Sequence, residues 1–254
     1  MNAKSSHYQG VAAHHDKLAE HGVFGLLAPQ NRGGGKSEYV TSVFDQALLP
    51  LIRERPHSSM LDFGCGTGVF CRKAAPFVEQ VVGVDISGGA LEVAKQVCAG
   101  LGNVTLCLTD GDHLPFPEAS FDCAVEREAL MYVPDAKLDA VLTEIYRVLR
   151  PGGRFLLLDQ VSDDPYWQRY PGTPLQLKRS PSGFRDAAAR AGFTLVGDGP
   201  VRTPRFPAIY LAWSGLVPRP LIPRLARLEV AWHRGRRHPG KRWWNALFLL
   251  TKPA

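Results

Sequence analysis

Two glycine-rich stretches compete for the job of gripping a cofactor. The first, MLDFGCGTGVF at residues 60–70, follows an apolar run and opens a helical one. Gly64 permits a sharp turn and Gly66 lets a ligand approach the backbone closely, since neither carries a Cβ. Asp85 ends the next apolar run, VVGVD, where a carboxylate can accept both hydroxyls of a ribose. The glycines at 64, 66 and 68 read G-x-G-x-G, with Val69 where a dinucleotide fingerprint places its third glycine. That fingerprint also seats a pyrophosphate on the helix N-terminus. Here Asp62 stands just before the turn, where it attracts an ammonium and repels a phosphate. The spacing and the acid together argue against a nicotinamide dehydrogenase.

The second stretch, NRGGGKSEY at residues 31–39, ends like a phosphate-binding loop. That motif needs a glycine five residues before its Gly-Lys pair, and the position is Gln30. Pro29 also spoils the strand that should precede it. The stretch reads as a flexible loop in which Ser37 caps a helix, the alternative being a mobile lid with Lys36 or Tyr39 reaching a ligand.

The elements that must position the first loop alternate. Residues 9–22 suit a polar helix, and 38–55 a helix with Val40, Phe44, Leu48 and Leu51 on one face. Strands are expected at 59–63, 81–85, 104–108, 121–125, 154–159, 193–197 and 244–251. Helices are expected at 68–75, from the Ser87 cap to Gly100 or Gly102, at 137–149 and at 182–191. Near-continuous apolar strands joined by helices predict an α/β fold. It is a doubly wound, Rossmann-like sheet, mostly parallel with an antiparallel last strand, and helices cover both faces. The expected organisation is a helical cap over 1–56, a core over 57–200, and a basic insertion with the final strand over 201–254.

Five segments in order resemble class I S-adenosylmethionine-dependent methyltransferases of the small-molecule type. They are LDFGCGTG, VVGVDIS, TDGDHLPFPEASFD, FDCAVEREALMYV and RVLRPGGRFLLLD, within residues 60–159. The resemblance implies S-adenosylmethionine as cofactor and S-adenosylhomocysteine as product. It implies that Asp62 and the backbone of Gly64, Cys65 and Gly66 hold the methionine end, and that Asp85 takes the ribose. Ile86 would lie against the adenine, and Asp110 with the Gly111 backbone would bind the adenine amino group. Glu126, with Arg127, would lie near the sulfonium. Tyr8 to Asp16, Y-x-x-V-A-x-x-H-D, resembles an N-terminal pattern that folds over the cofactor, with His15 where a tyrosine usually stands. Tyr8, His15 and Glu126 are the expected catalytic residues. Glu128, Tyr132, His7, His14 and His113 are further base candidates, and no metal is expected.

Charge separates along the chain. Residues 1–200 carry 19 Lys and Arg against 23 Asp and Glu, whereas residues 201–254 carry 11 against the single Glu229. A basic segment favours an anionic partner. About 45 residues separate Gly199 from Trp244, and they hold Trp213, Trp232 and Trp243. Residues 224–234 suit a helix with Leu225, Leu228 and Trp232 on one face. Three readings compete: a packed insertion or subunit contact, a substrate lid or membrane-surface anchor, and a nucleic-acid surface. Base-amine methyltransferases of this family usually carry Asn/Asp-Pro-Pro-aromatic after the fourth strand. This chain has Glu126-Arg127-Glu128-Ala129, which disfavours nucleic acid. The five cysteines form no C-x-x-C pair, so reduced thiols and a cytoplasmic location are expected. Residues 1–20 do not read as a signal peptide, and no apolar run reaches the ~18 residues of a membrane span.

The expected function is methyl transfer to a small or lipid-like biosynthetic metabolite, anionic ones included. An RNA or protein methyltransferase is the alternative within the enzyme class, and a non-catalytic adenosylmethionine-binding scaffold the alternative outside it.

Overall fold

The computed structural model describes residues 6–23, 35–169, 173–204, 206–236 and 242–254. The chain opens with helices α1 (Ser6–Ala19) and α2 (Gly35–Arg53). Strand β1 (His57–Phe63), α3 (Val69–Ala74), β2 (Val78–Asp85), α4 (Gly88–Val97) and β3 (Val104–Leu108) come after them. Next are β4 (Phe121–Arg127), α5 (Asp135–Val148), β5 (Leu149–Val161) and a small hairpin of β6 (Tyr166–Gln168) and β7 (Gln176–Lys178). The chain ends with α6 (Pro181–Arg190), β8 (Thr194–Arg202), α7 (Pro207–Trp213), α8 (Ile222–His233) and β9 (Trp244–Thr251).

Seven strands form one sheet in the order β3-β2-β1-β4-β5-β9-β8. All pairs are parallel except those of β9, which runs antiparallel to both β5 and β8. The α/β doubly wound expectation therefore holds, including the antiparallel last strand. Strand alternation sends successive side chains to opposite faces. Leu61, Phe63, Ala124 and Phe155 meet α5 and α6 on one face. Met60, Val125 and Leu156 meet α2, α3, α7 and α8 on the other.

Local chemistry sets the helix starts beside the sheet. Ser87 caps α4 by accepting from Ala90 N at 3.0 Å, as expected. Asp16 Oδ1 accepts from Ser87 Oγ at 2.6 Å and from Gly89 N at 2.8 Å, which ties α1 to the start of α4. Ser180 caps α6 with Pro181 in its first turn.

Two N-terminal expectations change. Helix α2 starts at Gly35, so Ser37 lies inside it and is not its cap. Tyr39 is fully buried and its hydroxyl donates to Glu229 Oε2 at 2.6 Å, so it reaches no ligand. The remainder of the second glycine-rich stretch, with Pro29 and Gln30, lies outside the described residues.

The C-terminal insertion is more helical than expected. Helices α7 and α8 bury Ala208, Ile209, Ala212, Ile222 and Ala226 in the core that contains α2. A Cβ at Gly35 would lie 2.3 Å from Ala212 O, so glycine there sets how closely α2 and α7 approach. The inward face of α8 carries Ile222, Ala226, Glu229 and His233, while Leu228 and Trp232 point outward. The buried carboxylate is compensated: Glu229 Oε1 accepts from Thr203 N at 3.0 Å and Oε2 from Tyr39. No described helix is long and apolar enough to cross a membrane.

Candidate active site

A cavity opens at the carboxyl ends of β1, β2 and β4, where the strand order reverses and ligands of such sheets bind. The turn after β1 forms its floor. Gly64 and Gly66 have φ of 71° and 54°, which glycine adopts freely. Gly64 N and Cys65 N both donate to Val84 O at 2.9 Å, folding the turn over β2. A Cβ on Gly64 would lie 2.4 Å from Ala129 Cβ, so the turn also closes against the segment after β4.

Asp85 ends β2 on the cavity wall. Its Oδ2 accepts from Gly66 N at 2.8 Å and Oδ1 from Ser87 N at 2.9 Å. Burial pushes its carboxyl up, and the backbone donors pull it back. A carboxylate has about four acceptor sites, so these donors leave capacity for a ribose hydroxyl. Ile86 and Gly111 line the same end. Gly111, at φ 86°, packs under Tyr8: a Cβ there would lie 3.4 Å from the Tyr8 ring. Of the expected cofactor residues, Gly64, Cys65, Gly66, Asp85, Ile86 and Gly111 all line the cavity.

Three expected residues do not line it. Asp62 is fully buried beneath the turn, where Oδ2 accepts from Cys71 Sγ at 3.1 Å and faces Arg127 Nη2 at 3.8 Å. Burial raises its carboxyl, and Oδ1 has no partner among the described residues. Glu126 is also fully buried; its Oε1 accepts from Ala129 N at 2.6 Å and Leu130 N at 2.9 Å. Burial, and then the charge of Asp159, push its carboxyl well up. It braces the turn after β4 and does not line the cavity. Asp110 turns back on its own loop, with Oδ1 accepting from Asp112 N and His113 N, each at 2.9 Å. Partial burial raises its carboxyl, but these donors outweigh burial and hold it below the usual value.

The residue that replaces Glu126 on the cavity wall is Glu128. It has φ 56°, rare for a residue with a side chain, so the chain turns sharply there. Its N donates to Leu158 O at 2.9 Å, which over-determines the turn. Its Oε1 accepts from Gln160 Nε2 and Asn245 Nδ2, both at 2.7 Å. Among the described residues no hydrogen bond reaches Oε2. Lys178, fully buried, binds Gln160 Oε1 and, at 3.1 Å, Gln176 Oε1. Gln176 Nε2 in turn donates to Tyr132 Oη at 3.2 Å.

Helix α1 closes the cavity with Tyr8, Val11 and His15. Burial, and then the charge of Asp112, raise the Tyr8 phenol, so Tyr8 stays protonated and is no base. His15 packs edge-on against Tyr132, with ring centroids 5.1 Å apart. Burial lowers its pKa to about 4, leaving a neutral imidazole at neutral pH. His7 bonds Tyr132 O at 2.7 Å, His113 sits by Asp110 at 3.6 Å, and neither they nor His14 line the cavity. No cluster that could hold a metal occurs among the described residues.

The residues fit the cofactor implied by the sequence. A Cβ-free turn, a ribose-competent Asp85, the apolar Ile86 and the backbone of Gly111 lie on one wall. A methyltransferase-domain family model matches residues 61–157. A sterol 4-C-methyltransferase of Caenorhabditis elegans is 31% identical over 166 residues, covering 64% of this chain and 48% of its own. A demethylmenaquinone methyltransferase of Symbiobacterium thermophilum is 41% identical over 111 residues, covering 41% of this chain and 43% of its own. The chain thus spans about half the length of the curated relatives it matches. Among solved structures, a geranyl diphosphate C-methyltransferase from Streptomyces coelicolor superposes with a TM-score of 0.68 at 15% identity, over 98% of this chain and 99% of its own. The [4+2]-cyclase SpnF superposes with a TM-score of 0.61 at 24% identity, over 82% of each chain. These two share the fold.

Proposed function

We propose that the protein, whose residues 61–157 match a methyltransferase-domain model, is a class I S-adenosylmethionine-dependent methyltransferase that methylates a small, lipid-like metabolite. The observation that carries this reading is the cavity wall beyond the cofactor anchors. Val11, Phe44, Val69, Met131 and Val133 line it, and Glu128 is its one carboxylate besides Asp85 among the described residues. A pocket with an apolar wall and few placed carboxylates suits a hydrophobic acceptor. The similarities to sterol and demethylmenaquinone methyltransferases support the same class.

S-adenosylmethionine, when bound, supplies an electrophilic methyl group. Asp85 would orient its ribose, Ile86 and Gly111 its adenine, and the Gly64–Cys65–Gly66 backbone its amino-acid end. Holding the acceptor in line would remove roughly 7–11 kcal/mol of the barrier. Tyr8 and His15 would exclude water as α1 covers the cavity. Glu128 Oε2 would take the proton that the acceptor loses, while Gln160 and Asn245 hold Oε1 still.

Incubation with methyl-labelled S-adenosylmethionine and a host extract tests this. The expected result is label in the organic phase with the wild-type chain and none with Asp85→Ala. Label only in aqueous polymer, digestible by nuclease or protease, would overturn it.

A further inference from the structure

The insertion presents an apolar surface that the domain does not use. Trp213 is 60% exposed, Leu216 78%, Leu228 63% and Trp232 59%, with Tyr210, Leu211 and Leu221 also exposed. Tyr210, Leu211 and Trp213 on α7 and Leu228 and Trp232 on α8 are turned away from the core that holds Ala208, Ile209, Ala212, Ile222 and Ala226, and Leu216 and Leu221 stand in the segment between the two helices. Into and along α8 the spacing Leu221, Leu228, Trp232 is seven and then four residues, one continuous stripe of a helix. Large apolar side chains left exposed along one segment in this way mark an interaction surface.

Arginines frame the stripe. Arg224 lies one turn before Leu228, with Arg227 beside it and Arg219, Arg234 and Arg236 at the ends. The Arg236 guanidinium stacks 4.5 Å from the Trp232 ring, and its Nε donates to Trp232 O at 2.8 Å. Arg219 faces Glu38 of α2 at 3.5 Å. Residues 206–236 contain five arginines and one acid, and that acid, Glu229, is fully buried. The outer surface of this segment therefore offers cations and no carboxylate of its own. A second copy docked symmetrically would bring the Arg224 and Arg227 pairs against each other with nothing on either α8 face to neutralise them. A phosphate-rich surface with an apolar layer beneath it satisfies both halves of the pattern.

From this complementarity we infer that the α7–α8 face docks the protein onto an anionic lipid bilayer. Arginines meet the headgroup phosphates, and Trp213, Leu216, Leu228 and Trp232 enter the interfacial layer. This inference does not depend on the identity of the methyl acceptor. It has a structural consequence, because α2 touches both the insertion and the cavity, into which it places Thr41 and Phe44. The docked surface and the cavity are then separated by one helix.

Co-sedimentation of the full chain with vesicles tests the inference, using phosphatidylcholine alone and phosphatidylcholine mixed with phosphatidylglycerol. The expected result is binding to the mixed vesicles, at least about tenfold weaker binding to the neutral ones, and a fall with added salt. Leu228→Ser with Trp232→Ser should abolish sedimentation, and Arg224→Gln with Arg227→Gln should weaken it by on the order of 10- to 30-fold. Both variants should keep the wild-type thermal transition and S-adenosylhomocysteine affinity, since these side chains are turned away from the core. No binding to mixed vesicles, equal binding to both kinds, or binding indifferent to the variants overturns the inference. So does a dimer in gel filtration that Leu228→Ser with Trp232→Ser dissociates, or an RNA oligonucleotide that binds this face more tightly than the mixed vesicles.

Discussion

Asn245 Nδ2 donates to Glu128 Oε1 across 2.7 Å, so the antiparallel last strand holds a cavity-lining carboxylate that lies 117 residues earlier in the chain. The strand that completes the sheet also fixes a carboxylate on the cavity wall. Asn245 is itself fully buried and receives Arg202 Nη1 at 3.0 Å, which stiffens the pair from behind. Fixing one oxygen this way leaves the other in a defined place for a ligand.

Replacing Glu128 with Gln keeps an acceptor for Gln160 and Asn245 and removes the charge. A proton-accepting role predicts a fall in kcat of about 10²–10⁴-fold with little change in S-adenosylhomocysteine affinity. Single-turnover methyl transfer and equilibrium binding check this together. A normal rate would remove Glu128 from the proton transfer, while a lost affinity would assign it to cofactor binding.

His15 predicts a pH dependence that begins in α1. Its folded pKa, about 4, lies below the unfolded 6.5, so the unfolded chain binds the extra proton first. Stability is therefore full above pH 6.5 and declines as pH falls toward 4. The largest loss is about 3 kcal/mol, reduced by the partial solvent contact that the ring keeps. Hydrogen exchange across Ser6–Ala19 at about pH 7.5 and about pH 5 should show α1 losing protection first. His15→Phe should flatten the difference; an unchanged pH response in that variant would contradict the assignment.

Tyr39→Phe removes the partner of a buried carboxylate oxygen. Leaving Glu229 Oε2 unpaired should cost about 1–3 kcal/mol, and thus lower Tm by several degrees for a chain of this size. Burial already raises the Glu229 carboxyl, so the variant should be less destabilised at acidic pH, where that group protonates. Thermal melts at about pH 5 and about pH 8 measure this. An unshifted Tm at both would mean that α8 is held by its apolar contacts alone.

The parts legible in the sequence are those dictated by local chemistry. The turn at Gly64 and Gly66 needs residues without Cβ, Ser87 caps the helix that begins at Gly88, and the apolar run from Trp244 to Thr251 suits only a strand. The parts that are not legible depend on partners distant in the chain. Glu126 and Glu128 are equivalent as letters, and only the positive φ at Glu128 turns one toward the cavity and leaves the other bracing the backbone. Asp62 points to the opposite side of the sheet from Leu61 and Phe63, where Arg127 meets it. In α8, counting apolar residues gathers Leu225, Leu228 and Trp232 on one face, which as a stripe packed on the domain would turn inward. The helix instead turns inward at Glu229, because Tyr39 and Thr203 satisfy that carboxylate from 190 and 26 residues away. Helix α7 lacks a side-chain cap, and β6 and β7 are three residues each, too short for alternation to show.

The cofactor site is tested most directly by calorimetric titration of the full chain with S-adenosylhomocysteine, repeated with Asp85→Ala. The geometry predicts saturable one-site binding to the wild-type chain. It predicts a loss of about 10–100-fold in Asp85→Ala, the cost of removing charge-assisted hydrogen bonds to the ribose. Equal affinity in the two proteins, or no binding to a folded wild-type chain that instead binds NADH, would contradict the site built on Gly64, Asp85 and Gly111.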